Sequence, residues 1–304
     1  MKIWTSIASL ILATFCSSPA AAAHPACTIT DLGTLGGYYT TPIGINAAGQ
    51  VTGVSATGQN SEVAFFYDGT MHGLGTLGGT YSVGMAINAS GHITGYSDTL
   101  DEAGGFRAFL YDGALHDLGT LGGQSSYGYG INASGQVTGY SELSGGENYE
   151  SRAFLWTQAA GMQNLGTLGG SSSNGYGIND SGQVTGGSEN ADGEYHAFLY
   201  DGAMHDLGTL GGTYSYGQSI NASGQLTGVS MTAEGTFHAI FYDGVLHDMG
   251  SLGGSLSHGF GINSSGQVVG VSRLVDDVNA HAFLYTSSQD LVDLNSLIDP
   301  LSGS

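Results

Sequence analysis

Histidine is the residue type with metal-binding chemistry that recurs in a fixed pattern along this sequence. His196 and His205 flank an Asp-Gly pair, Asp201-Gly202. A tight turn at this pair would place Phe198 opposite His205, making His196 and His205 diagonal neighbours on one face of a hairpin. The same arrangement returns further along the chain at His238 and His247. Two imidazoles favour a transition metal such as Zn²⁺, but other copies hold arginine or glutamine, so we favour a repeated polar contact.

Acidic side chains collect in a variable segment of each copy. Glu189, Asp192 and Glu194 offer the oxygen ligands that Ca²⁺ prefers, although without EF-hand spacing. Carboxylate pairs such as Glu142 with Glu150, or Glu189 with Glu194, could serve glycoside chemistry, which uses two carboxyl groups. The alternative is a solvated face that keeps the protein soluble. We favour this alternative; the cofactors that the sequence suggests are Ca²⁺ or Zn²⁺, and no other is indicated.

Tyrosines follow the Gly-Gly pair that recurs along the chain. Aromatic rings of this kind stack on sugars at binding surfaces, and they also pack in protein cores. The candidate ligand-binding residues are Tyr38, Tyr127, Tyr129, Tyr214 and Tyr216. They are predicted to line one end of the fold or to pack beside it.

Motifs of the common catalytic sites are absent from the sequence. It has no Gly-x-Ser-x-Gly elbow, phosphate-binding loop, His-Glu-x-x-His or paired Cys-x-x-Cys. Cys27 lies close to His24 near the start of the mature chain, where a flexible terminus is a better explanation than a thiol nucleophile. No catalytic residue is therefore assigned.

The charge balance excludes two classes of partner. With 25 acidic and 4 basic side chains, the net charge is -21, which repels phosphate backbones and anionic membrane surfaces. Beyond residue 23, no segment is long and apolar enough to span a bilayer. We therefore expect neither a nucleic-acid partner nor a membrane span. The expected state is a monomer, and its expected partners are extracellular glycans or proteins.

The first 23 residues are typical of a secretory signal. Lys2 supplies the positive start, residues 7–15 the apolar segment and residues 21–23 a small-residue cleavage site. Cys16 leaves with this segment, so the mature chain keeps Cys27 and has no partner for an intrachain disulfide. We expect residues 24–304 to form one domain in the periplasm or outside the cell.

Internal repetition positions all these side chains. A Leu-Gly-Thr-Leu-Gly-Gly motif recurs every 42 to 47 residues, with a degenerate last copy. Its copies start at Leu32, Leu74, Leu118, Leu165, Leu207, Met249 and Leu294. Each of the first six is followed by Ile-Asn-x-x-Gly, whose Asn can open a type I turn while Gly takes the left-handed conformation. Each repeat is thus predicted to contain a hairpin at this motif.

Four short strands are predicted in each repeat. They fall at the segment ending in Ile-Asn, at Gln-Val-Thr-Gly, at Ala-Phe-Leu-Tyr and at the segment ending in Leu-Gly-Thr-Leu. A period of this length with four strands is typical of a β-propeller. The prediction is an all-β fold, a β-propeller of six four-stranded blades, plus one surplus outer strand that is either N-terminal or C-terminal. An open propeller fragment and a β-solenoid are the alternatives.

The repeats resemble a family of bacterial extracellular proteins named after a His-Ala-Phe motif, the HAF-repeat family. The resemblance rests on His196-Ala197-Phe198 and His281-Ala282-Phe283, together with the Leu-Gly-Thr-Leu-Gly-Gly and Ile-Asn-x-x-Gly-Gln motifs. It implies export and a repeat fold, and no reaction. The sequence therefore predicts a secreted, non-catalytic scaffold that binds glycan, protein or surface ligands through blade loops. A secreted polysaccharide lyase or hydrolase is the alternative.

Overall fold

The computed structural model describes residues 30–59, 61–100, 104–145, 150–287 and 289–297. The predicted signal segment 1–23, His24 and Cys27 lie outside the described residues. In the described part, no helix has the length and apolar character needed to cross a membrane.

The described chain consists of six four-stranded antiparallel sheets, here called blades and numbered in chain order. Blade 1 holds β1 (Gly36–Ile45), β2 (Val51–Thr57), β3 (Glu62–Tyr67) and β4 (Met71–Gly75). Blade 2 holds β5 (Gly78–Ile87), β6 (Ile93–Thr99), β7 (Phe106–Tyr111) and β8 (Leu115–Asp117). Blade 3 holds β9 (Gly122–Ile131), β10 (Val137–Leu143), β11 (Ser151–Thr157) and β12 (Gly161–Asn164).

The second half of the chain repeats this order. Blade 4 holds β13 (Gly169–Ile178), β14 (Val184–Asn190), β15 (Tyr195–Tyr200) and β16 (Met204–Asp206). Blade 5 holds β17 (Gly211–Ile220), β18 (Leu226–Thr232), β19 (Phe237–Tyr242) and β20 (Leu246–Asp248). Blade 6 holds β21 (Gly253–Ile262), β22 (Val268–Leu274), β23 (Ala280–Thr286) and β24 (Gln289–Asp293), followed by a 3₁₀ helix at Leu294–Leu297.

The turn between the first two strands of each blade forms as the sequence predicts. In blade 3, Asn132 Oδ1 accepts the backbone N–H groups of Ser134 and Gln136 at 3.1 and 3.0 Å. Gly135 takes the left-handed φ of +76° that its position requires. Its N–H donates to the carbonyl of Asn132 at 3.0 Å. The predicted hairpin is confirmed.

The hydrophobic core lies between successive blades. Val137 and Phe154 of blade 3 are fully buried against Ala108, Leu110 and Leu118 of blade 2. The opposite side of blade 3 packs Leu155, Leu165 and Leu168 against blade 4. The repeated apolar positions therefore face neighbouring blades, as predicted, and each internal blade is stabilised by burial on both sides.

Every internal interface between blades also contains the same serine contact. In blade 3, Ser126 Oγ accepts the backbone N–H of Ala108 in blade 2 at 2.9 Å and donates to the Gly119 carbonyl. The corresponding serines and alanines form this bond at all five interfaces, at 2.7 to 2.9 Å. These serines are fully buried, so the hydrogen bond satisfies a donor and an acceptor that water cannot reach.

The six blades form an open β-propeller. Inner strands of successive blades contact one another from β1 through β5, β9, β13 and β17 to β21. Among the described residues no comparable contact joins β21 back to β1. The predicted propeller class is confirmed, and the open form among the predicted alternatives is the one observed.

The Leu-Gly-Thr-Leu segments differ from the prediction in blades 2 to 5, where the fourth strand ends before the motif and the segment is a linker, whereas in blade 1 the fourth strand includes Leu74 and Gly75. In blade 4 the fourth strand ends at Asp206, and Leu207 makes one further bond to the third strand, its N–H donating to the Ala197 carbonyl at 3.0 Å. The last copy of the motif forms the 3₁₀ helix Leu294–Leu297 instead of a surplus strand. Glycine in the motif takes a positive φ, as at Gly208 with +71°, which turns the chain toward the next blade.

Candidate functional site

The two ends of the blades carry different structures. Because each blade is an antiparallel meander, its second-to-third-strand loop and its linker to the next blade lie at one end, here called the loop face. The Asn-containing turns and the Asp-Gly turns lie at the opposite end. The variable acidic segments therefore share the loop face with the start of every inner strand.

A continuous series of aromatic rings runs around the inner strands of blades 2 to 6, and we call it the aromatic belt. Neighbouring ring centroids lie between 4.3 and 6.3 Å apart, the distance at which aromatic rings attract one another. Its members are Tyr81, Tyr96, Phe106, Tyr127, Tyr129, Tyr140, Tyr176, Tyr195, Tyr214, Tyr216, Phe237, His258 and Phe260. The belt thus joins five blades into one aromatic surface.

The structure places four of the five predicted ligand-binding tyrosines in the belt. Tyr127 lies 5.0 Å from Tyr96, and Tyr214 lies 5.3 Å from Tyr195, measured between ring centroids. Tyr129 and Tyr216 are the other two members, both in contact with Tyr176. Tyr38 lies outside the belt: its side chain is 86% exposed and its ring contacts that of Tyr39.

Sequence reasoning missed the members of the belt that lie on the second and third strands. Tyr96 and Tyr140 occupy the same place in the second strand of blades 2 and 3, opposite Val83 and Tyr127 of the inner strands. Phe106 and Tyr195 begin third strands. The predicted hairpin between the first and second strands is the signal that could have found Tyr140, because antiparallel pairing places it opposite Tyr127.

Burial favours the protonated hydroxyl in several tyrosines of the belt. Burial raises the pKa of Tyr96, Tyr129 and Tyr216 to about 12. The pKa values of Tyr140 and Tyr195 are raised still further, again chiefly by burial. Half-buried rings with protonated hydroxyls present both an apolar face and a hydrogen-bonding edge, the combination that suits a polyhydroxylated ligand.

Acidic residues at the loop face bond the backbone of their own blade. Asp98 accepts the N–H groups of Thr80 and Tyr81 at 2.9 and 2.8 Å. Glu142 accepts the N–H of Ser125 at 3.1 Å in the same way. These carboxylates satisfy inner-strand donors beside the Gly-Gly pair, where the strand pairing is interrupted.

Glu189, one of the predicted calcium ligands, also bonds the backbone of its own blade. Its carboxylate accepts both the backbone N–H and the hydroxyl of Ser171, and the hydroxyl bond lowers the pKa of Glu189. Glu194 instead lies 3.4 Å from Nε2 of His196. Asp192 donates its backbone N–H to Asn190 Oδ1. Across the described ranges, no three His, Cys, Asp or Glu side chains group as a metal site.

The predicted carboxylate pairs are also engaged separately. Glu142 bonds the backbone of blade 3, whereas Glu150 lies 3.8 Å from the guanidinium of Arg152. Glu189 and Glu194 likewise have different partners, Ser171 and His196. Each of these carboxylates therefore has a structural contact of its own.

The predicted pairing of Phe198 with His205 is wrong by one residue. Leu199 pairs with His205 and Phe198 with Asp206, so His196 and His205 lie on opposite faces of the sheet. His196 Nδ1 bonds the Asp206 carboxylate at 2.9 Å, and His205 Nε2 bonds Asp201 Oδ1 at 2.8 Å. The structure does not bring these two imidazoles together.

The corresponding histidines in the next blade repeat these contacts. His238 Nδ1 bonds Asp248 at 2.9 Å, and His247 Nε2 bonds Asp243 at 2.8 Å. Arginine takes the place of the first histidine in blades 2 and 3, where Arg107 and Arg152 donate to the carbonyls of Gln124 and Ser171 in the following blade. This position thus forms a polar contact in blades with either residue.

His258 differs from the other histidines because it belongs to the aromatic belt. Its ring lies 5.4 Å from Tyr216 and 4.3 Å from Phe260, measured between centroids. Nε2 is buried and has no hydrogen-bond partner within the described residues. Burial lowers the pKa of His258 to about 4, so the imidazole is neutral at ordinary pH.

Replacing His258 by tyrosine, the residue at the corresponding position of blade 5, should reduce the acid sensitivity of the fold. Between the ordinary histidine pKa and about 4, the unfolded chain binds a proton that the folded chain does not. Stability therefore falls as the pH decreases through this window, by up to about 3 kcal/mol. Urea unfolding of both proteins at pH 7.5 and 4.5 measures the difference, and an equal pH dependence would contradict the assignment.

Comparison with known proteins supports the fold and assigns no family. No protein-family model and no curated protein matches the sequence. The structure is similar to the β-propeller domain of the Trilobed protease from Pyrococcus furiosus, described as having an open velcro topology. The TM-score is 0.57 at 11% identity, over 86% of this chain and 85% of that one.

A second similar structure is the Pyrococcus horikoshii acylaminoacyl peptidase. It matches with a TM-score of 0.55 at 12% identity, over 85% of this chain and 45% of the peptidase. This chain thus spans less than half the length of that enzyme. Identities this low show the fold alone, and the class that fold and topology define is an open β-propeller.

Proposed function

We propose that this chain is a secreted, non-catalytic scaffold that binds glycans at the aromatic belt. The supporting observation is the continuity of the belt across five blades, with hydroxyls that stay protonated. An extended set of half-buried aromatic rings suits a chain of sugar units. The apolar face of each sugar can stack on a tyrosine ring, and the sugar hydroxyls can form hydrogen bonds with the tyrosine hydroxyls. The net charge of -21 favours neutral glycans over anionic ones.

The non-catalytic part of the proposal rests on the contacts of the acidic and histidine side chains. The carboxylates proposed for glycoside chemistry contact backbone N–H groups, Arg152 or His196 within their own blades. The histidines of the His-Ala-Phe motif are bonded to aspartates of the adjacent strand. These contacts account for the repeated polar residues through structure rather than through a reaction.

Substituting two belt tyrosines should weaken glycan binding roughly tenfold. Tyr127→Asn and Tyr214→Ser introduce the residues found at the corresponding positions of blade 4, Asn174 and Ser172, so the fold should tolerate them. Isothermal titration calorimetry against a β-glucan, a xylan, a mannan and anionic alginate measures the affinity of each protein. The matched control is Tyr38→Thr, which removes an exposed ring outside the belt and should leave binding unchanged.

The same samples separate binding from catalysis. Incubation with each polysaccharide, followed by assays for reducing ends and for unsaturated ends, should detect no release of product. Release of either product by the purified protein would overturn the proposal of a non-catalytic scaffold if that release is lost when glutamine replaces the candidate carboxylates Glu142, Glu150, Glu189 and Glu194. That result would favour the lyase or hydrolase. Equal binding by the double tyrosine variant and the wild type would overturn the assignment of the belt.

A further inference from the structure

The two ends of the open ring are built differently, although each would face a neighbour in a longer array. Blade 6 keeps the groups that blades 1 to 5 use to contact the following blade. Blade 1 has lost a residue that blades 2 to 6 use to receive the preceding one. The difference indicates what can bind at each end.

Blade 6 presents two hydrogen-bond donors that are satisfied at every internal interface. The alanine of the third strand donates its N–H to a serine of the next blade in blades 1 to 5, and those alanines are fully buried. The corresponding Ala282 is exposed, and in the described part of the chain its N–H has no such serine. Exposure of a donor buried elsewhere marks an uncovered interface.

The second donor is the side chain of Asn263. In blades 1 to 5 the turn asparagine donates Nδ2 to the carbonyl of the next turn asparagine, at 2.9 to 3.0 Å. Asn263 donates to Gln267 Oε1 within its own turn and, among the described residues, reaches no asparagine of another blade. It is exposed, whereas Asn132, Asn179 and Asn221 are buried.

The inner strand of blade 6 also keeps the small residue that close approach of the next strand requires. A Cβ on Gly177 of blade 4 would lie 3.2 Å from backbone atoms of Gln218 and Ser219 in blade 5. A Cβ on the corresponding Gly261 would meet Val269 of its own blade at 3.6 Å and no atom of another blade. Nearby, Phe260 is 48% exposed. The uncovered face therefore combines apolar surface with unmatched donors.

Blade 1 cannot cover this face in the geometry of the internal interfaces. At each internal interface a buried threonine of one blade points at a glycine of the next inner strand, where a Cβ would overlap the threonine Oγ1. The glycines are Gly84, Gly128, Gly175, Gly217 and Gly259. Blade 1 has Pro42 at this position. Its ring would overlap Val269, which stands in blade 6 where the other blades have threonine.

We propose that the uncovered face of blade 6 is a docking surface for a β-repeat of the same type carried by a separate polypeptide. The occupant must supply serine to accept from Ala282 N–H, glycine opposite Val269 and a turn carbonyl for Asn263 Nδ2. A segment of the form Gly-Gly-x-x-Ser-x-Gly-x-x-Ile-Asn meets all three requirements. A second copy of this chain does not, because its one inner strand without a preceding blade, in the described part, carries Pro42.

The test adds a repeat to the full chain in two formats. In one, a synthetic peptide of residues 121–143, the β9–β10 hairpin with its linker leucine, is added at millimolar concentration. In the other, residues 118–164 are fused directly after Asp293, which raises the effective concentration of the repeat. Amide hydrogen exchange should slow about tenfold or more at Ala282 in both formats. The fused chain should also gain roughly 4 °C or more in melting temperature.

Matched controls make both formats decisive. A Gly128→Pro version of the peptide and of the fusion, which imitates blade 1, should give neither protection nor a stability gain. Ala282→Arg in the full chain should abolish docking, whereas Val278→Arg, at another exposed position of blade 6, should not.

Three results would overturn the inference. Unchanged exchange at Ala282 in both formats would show that the face takes no repeat. Protection in the fusion alone would restrict the face to a repeat of its own chain. Self-association of the wild type that Ala282→Arg abolishes, seen by sedimentation, would identify a second copy as the occupant.

Discussion

Replacing Gly217 by alanine is expected to lower the melting temperature by roughly 5 °C or more, which corresponds to about 2 to 3 kcal/mol. A Cβ at this position would overlap Oγ1 of Thr185 in the preceding blade. Thr185 is fully buried and donates to the Phe198 carbonyl at 2.9 Å, so its side chain cannot turn away without losing that bond. Overpacking and a broken hydrogen bond therefore act together.

Two further variants test this explanation of the Gly217→Ala effect. Gly261→Ala should change stability by less than about 0.5 kcal/mol, because its nearest neighbour would be Val269 at an ordinary contact distance. Thr185→Ala should rescue part of the loss in the Gly217→Ala background, since it removes the atom that the new methyl group meets. Additive effects of the two substitutions in denaturant unfolding would show that they do not share this contact.

The glycines of the inner strands show how far the sequence alone could predict the fold. Turn glycines such as Gly135 were predictable, because Ile-Asn-x-x-Gly defines a local conformation. Glycines such as Gly217 lie within a strand and have an ordinary φ. Glycine is required there because a threonine of another blade leaves no room for a side chain. Only the packing of one repeat on the next reveals that requirement.

The site residues follow the same division between local and distant causes. Tyr127 and Tyr214 were found as candidates because they follow the Gly-Gly pair within the inner strand. The register of the short fourth strand was predicted wrongly because Met204–Asp206 has only three residues, too few to show an alternation of buried and exposed side chains. The carboxylate of Glu189 bonds Ser171 across the sheet, a contact that its own loop sequence does not indicate.

The turn asparagines form hydrogen bonds both within their own turn and to the next blade. Replacing one that makes both contacts is therefore expected to have a large effect. Asn132→Asp should destabilise the protein by about 3 kcal/mol at pH 7. The new carboxylate still accepts from Ser134 and Gln136, but it cannot donate to Gln136 Oε1 or to the Asn179 carbonyl, as Asn132 Nδ2 does at 2.6 and 3.0 Å. A buried charge would then face two acceptor oxygens.

Asn263→Asp is the matched control, because Asn263 makes the same contacts within its turn but is exposed and donates to no following blade. Its effect should stay within about 0.5 kcal/mol.

The pH dependence of stability separates the two variants further. Burial beside acceptor oxygens raises the pKa of the introduced carboxyl at position 132 above that in the unfolded chain, so the folded state binds a proton more readily and the destabilisation should shrink as the pH falls toward 4. Urea unfolding across this range measures it, and equal losses for Asn132→Asp and Asn263→Asp would mean that the asparagine chain between blades contributes nothing beyond its turns.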